Sequence, residues 1–278
     1  MADYLRPTSL DEALAALAKR PWTMLAGGTD VYPGSVGRPV AGHILDVTGL
    51  PSLRAITTVD GLVRIPALAT WTDVVRADLP AAFDGLKIAA RSIGGIQIQN
   101  RGTLAGNLCN ASPAADGLPN LMALDARVEL SSASGRRDVP VGEFVVGNRR
   151  TTRRPDELVT AIVVPSPSAD ARSTFLKLGS RAYLVISIAS VAIVVSVEPS
   201  GRVAAARIVV GACSEVPMRL ESAETRLVGE IASSSLGGAI EAGDVAGLAP
   251  IDDVRGTAAY RRDVALTLIR RAVTEVLA

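Results

Sequence analysis

Ile93-Gly94-Gly95-Ile96-Gln97-Ile98-Gln99-Asn100-Arg101-Gly102-Thr103-Leu104-Ala105-Gly106-Asn107 is the stretch on which the reading of this chain turns. Gly94, Gly95, Gly102 and Gly106 stand among the small hydrogen-bonding side chains of Asn100, Thr103, Asn107 and, just beyond, Asn110. Glycine loses more conformational freedom on folding than any other residue, so a purely structural connection is badly served by such density. The composition suits close approach to a polyanion's backbone or to the polar edge of a ring. A smaller cluster lies upstream in Leu25-Ala26-Gly27-Gly28-Thr29-Asp30, where a short apolar segment from Trp22 stops. Taken alone, Gly27-Gly28 is most simply a tight turn; beside a phosphate it would let the backbone come near, and Thr29 would add a hydroxyl donor. The spacing is not Gly-x-Gly-x-x-Gly and no Lys-Ser/Thr pair follows, so neither a Rossmann site nor a P-loop is supported. Two such loops in one chain point to an extended ligand such as a dinucleotide.

Working outward, Ser9-Leu10-Asp11-Glu12 predicts a capping box at the head of an Ala/Leu-rich helix to Ala18. Trp22–Ala26 and His43–Val47 read as short strands, and Arg54–Ala69 carries β-type alternation about a turn at Gly61. Thr70-Trp71-Thr72-Asp73 marks another helix start, and a longer helix is expected from Ala81 towards Arg91. In Asn110-Ala111-Ser112-Pro113-Ala114-Ala115-Asp116, Ser112 reads as an N-cap with Pro113 in the first helical turn. Strands are expected at Ala126–Leu130 and Glu157–Val164. Pro165-Ser166-Pro167-Ser168 is the best domain boundary, since neither proline suits a central strand. Beyond it, Thr174–Leu178, Ile186–Val197 and Val203–Val210 read as three strands, followed by amphipathic helices, the last over Thr257–Leu277.

Composition narrows the function. The chain has 278 residues, a formal charge of +1, one histidine and two cysteines. So even a charge balance argues against nucleic-acid binding. Cys109 and Cys213 form no Cys-x-x-Cys and supply too few thiolates for an iron–sulfur cluster, and His43 alone makes a zinc site improbable, so no metal site is expected. The most apolar run, Leu184–Val197, is too short to span a bilayer and reads as buried strand; with no signal peptide at the N-terminus, the expected compartment is the cytoplasm. Aromatic residues make up only 3%, which favours backbone contacts over ring stacking as the means of holding a cofactor.

Four segments, taken in order, carry a resemblance. Ala26-Gly27-Gly28-Thr29-Asp30, Ile93-Gly94-Gly95, Arg101-Gly102-Thr103-Leu104-Ala105-Gly106-Asn107 and Ala111-Ser112-Pro113-Ala114-Ala115-Asp116 resemble the flavin-binding motifs of the molybdenum hydroxylase family. That family includes the medium subunit of carbon monoxide dehydrogenase and the FAD domain of xanthine dehydrogenase. Phe175-Leu176-Lys177-Leu178-Gly179-Ser180-Arg181 is similar to the start of its flavoprotein C-terminal domain. The resemblance implies an α+β fold. A two-lobed FAD-binding domain of the vanillyl-alcohol-oxidase-like type (residues 1–55 and 56–168) would precede a C-terminal domain (169–278) with a three-stranded antiparallel sheet and a helical bundle. It places Ala26, Gly27, Gly28, Thr29, Asp30 and Val31 along the FAD pyrophosphate, with Thr103, Leu104, Ala105, Gly106 and Asn107 as the second wall. It places Ile93 near the isoalloxazine ring, Asp116 at the ribityl or nearby flavin hydroxyls, and Val159 and Lys177 towards the adenine or ring ends, and counts Gly95 among the cofactor-binding residues.

The same resemblance implies an electron-transfer role with no catalytic acid or base. A large subunit with a molybdopterin cofactor and a small subunit with [2Fe–2S] clusters would be partners, in a dimer of heterotrimers, with NAD, oxygen or another terminal acceptor. There are departures. Many relatives have an acidic residue soon after the arginine matching Arg181, where this chain reads Ala182-Tyr183-Leu184-Val185; the extra cluster of some relatives is excluded by the two cysteines. Lys177 reads equally as a stabiliser of charge on the reduced flavin or as an exposed strand-end lysine. Cys109 reads as a small buried residue and His43 as structural. The run Arg149-Arg150-Thr151-Thr152-Arg153-Arg154 reads as a solvated loop, with an acidic partner or NAD phosphates as alternatives. A stand-alone reductase of the same fold, a scaffold that has lost FAD and a dinucleotide binder of different fold are the other functions considered.

Overall fold

The computed structural model describes residues 3–37, 39, 40, 42–165, 167–182 and 184–278. The chain opens with β1 (Tyr4–Leu5), the helix α1 (Leu10–Leu17), β2 (Thr23–Leu25) and β3 (Ile44–Asp46). The strands pair in parallel in the order β1-β3-β2. Ser9 Oγ accepts the Glu12 N–H at 3.2 Å, while the Glu12 carboxylate accepts from Thr8, one residue outside the cap. Ala13, Leu14, Ala16 and Leu17 face the core from one side of α1, as its apolar spacing dictates.

Next come β4 (Thr57–Val59) and β5 (Leu62–Pro66), joined by Asp60 and Gly61 at φ of 50° and 76°, the left-handed pair that a tight hairpin needs. Five helices follow: α2 (Trp71–Arg76), α3 (Asp84–Ser92), α4 (Ile96–Gln99), α5 (Leu104–Asn110) and α6 (Gly117–Ala123). Then come β6 (Arg127–Ser132), β7 (Gly135–Pro140), the single turn α7 (Val141–Phe144), β8 (Val145–Gly147), β9 (Arg150–Thr151) and β10 (Leu158–Val164). β4, β5, β10, β6 and β7 form an antiparallel sheet in that order, with β10 in the middle. A central position covered on both faces explains why Leu158–Val164 reads as an almost unbroken apolar run. The sheet also buries two carboxylates, each matched to arginines. Arg137 grips Glu157 at 2.6 and 2.9 Å and holds its carboxyl below the ordinary range. Burial alone would raise Glu129, but Arg64, Thr160 and the charge of Arg136 outweigh it and hold this carboxyl low as well.

The chain ends in β11 (Arg172–Leu178), β12 (Ala189–Val197), β13 (Val203–Gly211), β14 (Met218–Arg219), α8 (Glu221–Leu227) and α9 (Ala258–Val276). The three long antiparallel strands stand as expected, with β14 added as a two-residue edge. β12 serves two cores by simple alternation: Ala192 and Val194 join the core shared with the preceding lobes, whereas Val191, Ile193 and Val195 pack under α8 and α9. Each fully buried Val or Ile contributes roughly 1.5–3 kcal/mol to holding these layers together.

Local expectations fail at three places. The apolar run begins as strand only at Ala189; Leu184, at φ 54°, turns the chain and Ile186 is exposed, because Ser187 is drawn inward by a polar partner. Ser112 and Pro113 form a turn after Ala111, whose φ of 47° ends α5, and α6 starts only at Gly117 behind Asp116. β6 stands where a strand is expected, but its partner β7 and the hairpin β8–β9 are not marked in the sequence, since these strands are polar or very short. Ser166 of the expected boundary, and Tyr183 of the segment after Arg181, lie outside the described residues. Among the described residues no helix is long and apolar enough to cross a membrane.

Candidate functional site

The two glycine-rich loops touch. A Cβ on Gly27 would stand 1.8 Å from the Arg101 carbonyl oxygen, so close backbone approach requires glycine here. Gly28 is glycine for conformation: its φ is 73°, and the Tyr32 ring lies against it. Between the loops opens a cleft of about 560 Å³, within the range of small-molecule sites. Ala26, Gly27, Gly28, Thr29, Asp30 and Val31 form one side of it. Thr103, Ala105, Gly106 and Asn107 lie on another, with Ile93 and Val159 adding apolar surface. A second depression of about 520 Å³ runs along the outside of α1, but it is bordered by Glu12, Lys19 and Arg20 and has no glycine loop.

The walls are fixed from behind. Thr103 caps α5 by accepting the Gly106 N–H at 2.9 Å. Leu104 turns its side chain into the core, and its N–H donates to Ala69; the Trp71 N–H donates to Gly102. The buried Trp71 ring and Asn107 Oδ1 both crowd Gly117, where a Cβ would meet each at 2.8 Å. Asn107 Oδ1 is itself buried behind this wall and has no hydrogen-bond partner among the described residues.

Four sequence candidates are not among the residues that line the cleft: Gly95, Leu104, Asp116 and Lys177. Gly95 precedes α4 and sits near Leu184. Asp116 and Lys177 form a buried ion pair at 2.7 Å, and Ser187 Oγ donates to the other carboxylate oxygen at 2.6 Å. Lys177 is therefore not an exposed strand-end lysine. Ser187 escaped sequence reading because it is embedded in an apolar run. The cleft also gathers Trp22, Cys109, Asn110, Arg149, Thr151 and Arg153, which the flavin-site candidates did not include. Cys109 is exposed to the cleft rather than hidden in the core. His43 accepts the Asp3 N–H and lies 5.6 Å from the Trp22 ring, a structural role.

Residues 1–167 match the FAD binding domain in molybdopterin dehydrogenase, and residues 174–276 match the CO dehydrogenase flavoprotein C-terminal domain. The chain belongs to the molybdenum hydroxylase flavoprotein family. It is 33% identical to the glyceraldehyde dehydrogenase medium chain of Sulfolobus acidocaldarius over 98% of this chain and 97% of that one. It is 31% identical to the nicotinate dehydrogenase FAD-subunit of Eubacterium barkeri, covering 82% of this chain and 79% of the other. Its fold superposes on reconstituted CO dehydrogenase from Oligotropha carboxidovorans with a TM-score of 0.91 at 29% identity, covering 100% of this chain and 98% of that chain. The chain is thus an FAD-binding oxidoreductase subunit, and the cleft fits that cofactor: two abutting glycine loops, which a Cβ at Gly27 would force apart, and a volume of small-molecule size.

Proposed function

We propose that this chain is the electron-transfer subunit of a heteromeric molybdopterin-dependent hydroxylase or dehydrogenase in the cytoplasm. It would take electrons from [2Fe–2S] clusters of a small iron–sulfur subunit, reduced by a large molybdopterin subunit, and pass them to NAD, oxygen or another acceptor. A dimer of heterotrimers is the assembly we favour, with this chain divided at about residues 55 and 168. The single observation that carries the reading is the contact of Gly27 with Arg101, which joins two glycine loops into one cradle within a chain of this family.

Bound FAD supplies the exchange between one-electron and two-electron chemistry; the protein positions it and sets its surroundings. Ala26–Val31 would run beside the pyrophosphate and Thr103–Asn107 would face it across the cleft. Ile93 would border the ring and Val159 would pack at the adenine end, while Asp116, turned into its cluster with Lys177 and Ser187, would act on the flavin only through that buried pair. Lys177, already neutralised by Asp116, would sense charge on the ring only as part of that pair. Among the described residues of the cleft none has the arrangement of a catalytic acid or base, which weighs against a stand-alone reductase. Co-purification of the natively expressed chain, with an absorbance spectrum and metal analysis, tests the proposal. A flavin spectrum accompanied by iron, molybdenum and two partner chains supports it. A colourless solitary chain that takes up no FAD would leave an assembly scaffold as the better account.

A further inference from the structure

The basic run 149–154 divides its side chains between two surfaces. Arg149, in the turn before β9, Thr151 within it and Arg153 just beyond it line the cleft. Arg150 and Arg154 point elsewhere, towards Glu215 at 3.5 Å and Glu157 at 4.0 Å. Arg149 is held in a left-handed conformation at φ 58°, with its N–H donated to Ala111 at 2.8 Å. Its guanidinium reaches Asp30 at 2.8 Å and also Asn110, whose amide closes the ring onto Asp30 at 3.2 Å. Asp30 belongs to the first glycine loop and Asn110 ends α5 in the second lobe, so Arg149 stands across both walls. Arg153 donates to the carbonyls of Arg154 and Glu157 at 3.0 and 2.7 Å, and no carboxylate pairs with it among the described residues. The described cleft lining thus holds two arginines against one acid, Asp30.

We propose that Arg149 and Arg153 recognise the phosphate-bearing adenylate half of the dinucleotide, and so select FAD over flavins that lack it. The proposal rests on the reading of the cleft as an FAD site. Asp30 holds Arg149 ready; because both side chains are exposed, their pairing is weak and readily exchanged. A diphosphate is the stronger partner: it carries more charge than one carboxylate, and its oxygens can take two parallel charge-assisted donors where Asp30 takes Nη1 alone. Arg153, already oriented by two carbonyls, adds a second positive charge near Cys109 and the β10 end of the cleft.

The test uses the full-length chain, stripped of flavin and titrated separately with FAD and with riboflavin, following flavin fluorescence. Arg149→Gln should weaken FAD binding roughly 10- to 100-fold, the range of a lost hydrogen bond to a charged group, while riboflavin binding stays unchanged. Arg153→Gln should act in the same direction, and Arg149→Lys should recover part of the loss. Arg150→Gln, which alters the neighbouring but outward-facing arginine, should bind both flavins as the unmodified chain does. FAD affinity unaffected by Arg149→Gln overturns the proposal, as does an equal loss for riboflavin, which would mean a structural role. If the unmodified chain takes up neither flavin, the reading of the cleft itself falls and the proposal falls with it.

Discussion

Lys177–Asp116 and Arg149–Asp30 are both long-range ion pairs beside the flavin cradle, at 2.7 and 2.8 Å, yet they sit in opposite surroundings. The side chains of Lys177 and Asp116 are only 10% and 7% exposed, and Ser187 satisfies the remaining carboxylate oxygen. Arg149 and Asp30 are each 56% exposed. Distance alone would rank the two as equals. Burial decides otherwise: charges removed from water depend on each other, whereas charges in water exchange partners at little loss. One pair is a fixed strut and the other is a contact that a ligand can displace.

Removing one member of the buried pair should have the largest effect. Asp116→Ala leaves the Lys177 ammonium among protein atoms with a long contact to the Ser92 carbonyl, 3.5 Å, as its remaining hydrogen bond. Loss of about 3–5 kcal/mol is expected from urea denaturation, the usual penalty for breaking a buried pair. Adding Lys177→Met should restore much of it, since the double variant strands no charge. A single variant within about 1 kcal/mol of the unmodified protein would put this pair in the same class as the exposed one.

The exposed end is not soft throughout. Gly27→Ala drives a Cβ into the Arg101 carbonyl, a backbone atom with no rotamer through which to escape. Separating the loops should remove roughly 1–3 kcal/mol of stability, the range of overpacking, and abolish retention of FAD through gel filtration. Retained stoichiometric flavin would show that contact between the two loops is not needed for the cradle.

What could be read from the sequence follows the same division. The glycine loops were legible because backbone demands leave their mark on residue type: positive φ at Gly28 and close approach at Gly27 exclude other side chains. The three long C-terminal strands were legible through their apolar pattern. Ser187 was not, because a polar residue that turns inward to meet Asp116 looks, in one dimension, like an interruption of a strand. The split of the arginine run was also hidden: the run itself does not say which of its side chains look into the cleft.

An intermediate pair sharpens the rule. Arg261 is almost wholly buried, its Nε lacks a partner among the described residues, and its Nη2 donates to Asp253, which is 20% exposed, at 2.6 Å. Hydrogen bonds from Arg255, and then Arg261, lower the Asp253 carboxyl from 3.8 to about 2. The folded state therefore binds the proton less readily than the unfolded chain. Stability from this group is complete above 3.8 and drains away as pH falls towards 2. Asp253→Asn should be less stable than the unmodified protein by a constant margin from pH 7 to 5, narrowing below pH 4. A margin that stays constant down to pH 3 would mean that ionisation of Asp253 contributes nothing.

The smallest effect is expected at the exposed pair. Asp30→Ala removes the carboxylate that Arg149 and Asn110 share, but both remain in reach of water and of each other. Stability should change by no more than about 1 kcal/mol in urea, and the change should shrink further in added salt, which screens exposed charges. FAD binding is the more telling readout. If Asp30 only occupies Arg149 between ligands, Asp30→Ala leaves FAD affinity equal to or tighter than that of the unmodified chain. A loss of stability above 2 kcal/mol, insensitive to salt, would make Asp30–Arg149 a strut like Lys177–Asp116 and erase the contrast between them. Looser FAD with unchanged stability would instead make the Asp30 carboxylate a ligand in its own right, one that accepts a hydroxyl rather than one that yields to a phosphate.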